Sequence, residues 1–132
     1  MLALCILVTF STAAQADPIE GYWLTPRGKN GGQGIVHLYR CENRVCGQVV
    51  EVMDPRRADE VGTEILRDMR IRKKKPGRYG RGKIYSPDRG KWFRAKARLR
   101  NQDKLRIGGC WKNICKMQNW SRVDPPQAAT TN

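Results

Sequence analysis

The sequence predicts an all-β fold, a small antiparallel up-and-down barrel of about seven or eight strands, and three observations carry that expectation. Cys41-Glu42-Asn43-Arg44-Val45-Cys46 and Cys110-Trp111-Lys112-Asn113-Ile114-Cys115 repeat one spacing, Cys-x4-Cys. With a two-residue turn at the middle of each, residues i and i+5 face each other across a hairpin. They form a non-hydrogen-bonded pair with Cα atoms about 4.5 Å apart, close enough for a disulfide. Phe93, Ala95, Ala97 and Leu99 alternate with Trp92, Arg94, Lys96, Arg98 and Arg100, the period of a half-buried strand. Turn signals recur at short intervals with no βαβ rhythm, and closing such a meander into a barrel removes its exposed edges.

Residues 2 to 10, Leu-Ala-Leu-Cys-Ile-Leu-Val-Thr-Phe, form an apolar run too short to cross a bilayer as a helix. Ala14-Gln15-Ala16 follows as a small-x-small cleavage signal before Asp17, so residues 1–16 read as a signal peptide without the usual basic start. Cys5 is a poor lipoprotein cysteine, because Leu4 is bulky and the apolar run continues past it. The remainder has single-domain length, with residues 17–123 as the barrel and 124–132 as a flexible tail.

Gly21-Tyr-Trp-Leu-Thr25 is the first strand, ended by Pro26 and the glycine-rich stretch from Gly28 to Gly34. Ile35–Cys41 and Val45–Met53 form a hairpin about Asn43-Arg44, where asparagine tolerates positive φ. Asp54-Pro55 breaks the second of these strands. In residues 56–81, Val61, Ile65, Leu66 and Met69 fit either a short helix or a strand with loops. Lys83–Ser86, a Pro87-Asp88-Arg89-Gly90 turn and Lys91–Arg100 make the next hairpin. Lys104–Cys110 and Ile114–Val123 complete the set, with Leu105 and Ile107 extending the inward face of Phe93, Ala95, Ala97 and Leu99. The two alanines leave interior volume, to be filled by large side chains such as Trp23 or Trp120 or kept as a cavity for a small apolar ligand.

Export puts the cysteines in an oxidising compartment, where a small domain gains from disulfides. Four cysteines allow three pairings; hairpin geometry favours Cys41–Cys46 and Cys110–Cys115. A four-cysteine zinc site is disfavoured by the export signal, and no metal or cofactor is expected. The net charge of +14 lies within the fold, since residues 1–16 carry no charged side chain. Such a surface attracts anionic lipid, polyanionic sugar or nucleic acid; export disfavours the last.

Asp17-Pro18-Ile-Glu-Gly21-Tyr-Trp23, Cys46-Gly47, Gly82-Lys-Ile-Tyr-Ser-Pro87-Asp-Arg-Gly90-Lys and Gly109-Cys110 … Cys115-x-x-Gln118-x-Trp120-Ser-Arg122-Val123 resemble the exported bacterial family catalogued as domain of unknown function 2147. The resemblance covers nearly all of the chain after residue 16. It implies a lipocalin-like barrel with no assigned activity. Gly21, Trp23 and Arg122 also look like the lipocalin-type closure, in which an arginine packs across a tryptophan at one barrel end. The basic run Arg70-Ile-Arg-Lys-Lys-Lys75 departs from the family.

Little in the chain suggests catalysis. His37 is the only histidine, the carboxylates are scattered, and the glycines from Gly28 to Gly34 precede a strand rather than a phosphate-binding helix. The stronger signal is cationic. Arg67 to Lys83 holds nine Lys or Arg against one acid, Asp68. On the next strand, like charges two residues apart stand about 7 Å from each other, within the Debye length of about 8 Å. The expected role is non-enzymatic: an exported, periplasmic or secreted protein. It would bind an anionic envelope component through Trp92, Arg94, Lys96, Arg98 and Arg100, with peripheral membrane contact as a further expectation. The alternative is a carrier of a small apolar ligand inside the barrel.

Overall fold

The computed structural model describes residues 2, 4–10 and 15–127, among which eight antiparallel strands close into a barrel. They are β1 (Gly21–Leu24), β2 (Gly34–Cys41), β3 (Arg44–Val52), β4 (Glu64–Ile71), β5 (Arg78–Ser86), β6 (Lys91–Asn101), β7 (Lys104–Trp111) and β8 (Ile114–Val123). Each pairs with the next, and β1 pairs with β8 to close the circle. A 3-10 turn, Pro55–Glu60, joins β3 to β4; Asp54 caps it by accepting the Arg56 backbone N–H, which a proline just inside the start leaves available.

Alternation sends one apolar set inward from every strand. Trp23, Val36, Leu38, Val45, Leu66, Met69, Tyr79, Ala95, Ala97, Leu105, Ile107 and Trp120 all belong to one buried cluster. Trp23 and Trp120, both essentially inaccessible, share that cluster with Ala95 and Ala97. A Cβ added at Gly47 would lie 2.6 Å from Leu38 Cδ2, and one at Gly109 would lie 2.9 Å from Phe93 Cβ. The interior is packed at both points, as protein cores are.

Asp17–Glu20 seals the end of the barrel where β1 begins. Ile19 is fully buried, and its carbonyl accepts the Trp23 Nε1–H at 2.9 Å. The Tyr79 hydroxyl donates to Asp17 Oδ1. Burial, then the bond to Asp17 and its charge, pushes the Tyr79 phenol well above its ordinary range. Leu2, Leu4, Ile6, Leu7, Val8 and Phe10 lie outside this packing and are exposed.

Several sequence expectations need correction. Over residues 56–81 the structure takes the second of the two expected readings, a strand with loops, and not the helix: the 3-10 turn is followed by β4, and β5 begins at Arg78 rather than Lys83. The first disulfide hairpin turns at Glu42-Asn43, not Asn43-Arg44, and the residue with positive φ is Glu42 (58°). Cys41 is therefore opposite Arg44, and Cys46 is opposite Tyr39. Cys41 and Cys46 are diagonal neighbours, 5.8 Å apart at Cα, a separation that a disulfide still spans. The second hairpin has the expected direct pair, Cys110 opposite Cys115 with Cα atoms 4.0 Å apart. Of the expected tail, residues 128–132 lie outside the described residues, as do residues 1, 3 and 11–14 of the expected signal peptide.

Candidate functional site

The outer face of β6 presents the cations that alternation sends away from the core. Arg94, Lys96 and Arg98 are exposed, while Ala95 and Ala97 between them are buried. Arg100 is also exposed, but it falls in a bulge between the Leu99–Leu105 and Asn101–Lys104 pairs, where alternation is interrupted. Phe93 and Leu99 are half-buried at the two ends of the inward face; Leu105 and Ile107 are fully buried. The Trp92 ring is not an open platform. The Arg67 guanidinium lies 3.9 Å over its centroid, and Tyr85 packs beside it.

Register extends the basic face across the sheet, a feature that one strand's sequence does not display. Arg67 is opposite Lys83, and Lys83 is opposite Arg94. One level along, Arg78 is opposite Arg98, and Arg98 is opposite Arg106. Two rows of cations thus cross three strands each, where directly opposed like charges destabilise a sheet. Among the described residues, Arg67 alone of these has an acidic partner, Glu64. The other ion pairs lie elsewhere, as Arg40–Glu20, Arg56–Asp54, Arg57–Glu60 and Arg57–Asp88. By sequence, the basic stretch from Arg72 to Arg81, which includes Arg78, is expected to extend this surface, but Arg67, Lys83 and Arg106 are not named as site residues. The available signal was their outward position on neighbouring strands, which needs the register to read.

Beside these rows lies a surface depression of about 360 Å³, lined by Arg72, Arg81, Arg94, Lys96, Lys112 and Asn113 among others. A smaller one of about 210 Å³, reached by Arg70, Arg72 and Arg81, adjoins it. Arg72 and Arg81 come from the basic stretch before and within β5, so this stretch lies alongside β6. Arg94 Nη2 donates to the Lys112 carbonyl at 2.9 Å, tying the β7–β8 turn to the same face. The arrangement has the donors to hold phosphate, sulfate or carboxylate groups. It offers no acid–base pair, and no cluster of three metal-ligating side chains occurs among the described residues.

A second constellation lies where β1 meets β8. Arg122 stacks 4.3 Å over the Trp23 ring. It donates through Nη1 to the Glu20 carbonyl, through Nη2 to the Pro18 carbonyl and through Nε to the Gln102 carbonyl. Gly21 is required here: its φ is +134°, and a Cβ would stand 2.5 Å from Arg122 Nη1. His37 stacks on Tyr22 with centroids 4.4 Å apart. Burial lowers its pKa, an effect the Glu20 charge partly opposes.

The eight-stranded closed barrel, with Arg122 across Trp23 at one end, has a lipocalin-like fold. Residues 21–122 match the family described as "Uncharacterized protein conserved in bacteria (DUF2147)", and the chain belongs to that family. Among solved structures it is similar to protein HP1028 from the human pathogen Helicobacter pylori, which belongs to the lipocalin family. The two share 16% identity over 80% of this chain and 83% of that one, with a TM-score of 0.68. No curated protein matches the chain.

Proposed function

We propose that this is an exported, non-enzymatic binding protein that uses the outer face of β4, β5, β6 and β7 to hold an anionic component of the cell envelope. The observation that carries this reading is the pair of cation rows, Arg67–Lys83–Arg94 and Arg78–Arg98–Arg106, almost without acidic partners. Like charges directly opposite one another weaken a sheet. An anion bound across the rows removes that penalty, so folding and binding reinforce each other. The basic depression beside the rows supports the same reading.

Export is supported by the exposed, unpacked apolar segment and by two disulfides. It is also supported by Asp17, whose backbone N–H donates to Glu20 Oε2 at 2.6 Å. Cleavage before Asp17 places the new ammonium group against that carboxylate. The lipocalin-like fold supports ligand binding in general. The packing around Gly47 and Gly109 weighs against an internal apolar ligand.

Titration against lipopolysaccharide at low and high salt tests the reading. Affinity should fall steeply as salt rises, because exposed charges are screened, and should fall again when Arg94, Lys96 and Arg98 become Gln together. Equal affinity at both salt concentrations, or none lost in the triple variant, would favour the internal carrier.

A further inference from the structure

The β7–β8 hairpin ends in two apolar side chains that the fold leaves uncovered. Trp111 is 65% exposed and Ile114 is 71% exposed, and the register places them opposite each other, next to the two-residue turn Lys112-Asn113. The Cys110–Cys115 disulfide closes the hairpin directly behind them. The bond from Arg94 to the Lys112 carbonyl holds the turn against the basic face. The Lys112 ammonium lies 5.0 Å from the Trp111 ring, and Lys112 also lines the basic depression with Arg72, Arg81, Arg94 and Lys96. None of these five cations has an ion pair among the described residues.

We infer that this stapled hairpin is a membrane-docking tip: Trp111 and Ile114 enter the interfacial layer of an anionic bilayer while the adjoining cationic depression holds lipid phosphate. Tryptophan favours the headgroup level, where its ring is buried and its N–H stays wet. Two exposed side chains bury at most on the order of 400 Å², whereas a standard-size protein interface buries about 800 Å² on each partner. The patch is therefore too small for a protein partner and suited to shallow insertion. Its surroundings are matched to negative charge, and each Lys or Arg near an anionic lipid surface strengthens binding about fivefold. Burial of apolar area and attraction to anionic lipid add at a membrane interface, and the tip and the depression supply one each. The disulfide keeps the tip ordered before contact, which lowers the entropy lost on docking.

This inference rests on the polyanion-binding reading and names its partner, and the two can fail separately. The full mature chain is mixed with vesicles of phosphatidylglycerol, with vesicles of phosphatidylcholine, and with soluble dextran sulfate, a polyanion that offers no apolar phase. The wild-type protein should sediment with phosphatidylglycerol and not with phosphatidylcholine, and its tryptophan emission should shift to shorter wavelength. Trp111→Ala with Ile114→Ser should weaken vesicle binding about tenfold or more and leave dextran sulfate binding unchanged. Trp111→Phe keeps an aromatic ring and the fold, and should abolish the emission shift while retaining most of the binding. Dextran sulfate binding without vesicle binding, or vesicle binding indifferent to both variants, would overturn the docking tip and leave the basic-face reading standing. Loss of both ligands in the wild-type protein would sink the two together.

Discussion

At Gly21, Trp23 and Arg122, three residue types depend on one another. The indole ring needs a cover, the guanidinium needs carbonyls, and the glycine leaves room for both. Trp23→Ala should cost about 3–5 kcal/mol, as for other buried aromatics; Arg122→Ala should cost less, through lost packing and hydrogen bonds. Denaturant midpoints compare them, and an unchanged midpoint in Trp23→Ala would contradict the observed closure. His37 gives a pH test. Its folded pKa lies below the ordinary 6.5, so the folded protein binds its proton less readily than the unfolded chain does. The resulting stability is present above pH 6.5 and is lost as pH falls through the lowered folded value. His37→Phe keeps the stacking on Tyr22 but removes the proton. The variant should lose less stability than the wild type between neutral and mildly acidic pH, and identical thermal unfolding profiles would contradict this.

Two hairpins with the same cysteine spacing are built differently. In β7–β8 the cysteines are directly opposed; in β2–β3 the turn moves one residue toward the N-terminus and they become diagonal. Both rings are short, so reduction or replacement of either pair should lower stability by only about 2 kcal/mol without abolishing the barrel. Peptide mapping should recover Cys41 with Cys46 and Cys110 with Cys115. Loss of the second bridge should also weaken vesicle binding, since it frees the Trp111–Ile114 tip, whereas loss of the first should leave it unchanged. That asymmetry separates a bridge that only staples from one that also presents a surface.

Across the barrel as a whole, the rows of opposed cations reduce stability, and their removal should make the trade visible. Replacing Arg94, Lys96 and Arg98 by Gln should raise the unfolding free energy by about 0.5–1 kcal/mol at low salt, with the gain shrinking as salt screens the charges. The same variant should bind lipopolysaccharide more weakly. A protein that becomes less stable on losing these three cations would show that they serve the fold, contrary to the proposed function. Measuring both quantities on one preparation ties the stability effect to the binding effect.

How much of this was legible before folding differs along the chain. β6 could be read directly because Ala95 and Ala97 alternate with Arg94, Lys96 and Arg98, and burial of one face is a local, two-residue pattern. The cysteine spacing marked both hairpins, and Gly21, Trp23 and Arg122 were already expected to meet. β4 and the start of β5 were hidden by irregular backbone. Asp68 and Arg81 have positive φ, 51° and 58°. The inward residues there stand three apart, Leu66 with Met69 and Tyr79 with Gly82, a spacing that imitates a helix. Gly82 permits the close approach of β4, since a Cβ there would meet the Arg67 carbonyl and the Met69 sulfur. Neighbours along the chain fix the two faces of β6, the pairing of the cysteines within each hairpin and the excess of positive charge. Folding is what aligns Arg67, Lys83 and Arg94, covers Trp92 with Arg67, and leaves Trp111 bare beside a basic depression. Those relations depend on register between strands, which is set by bulges and barrel closure rather than by any one segment.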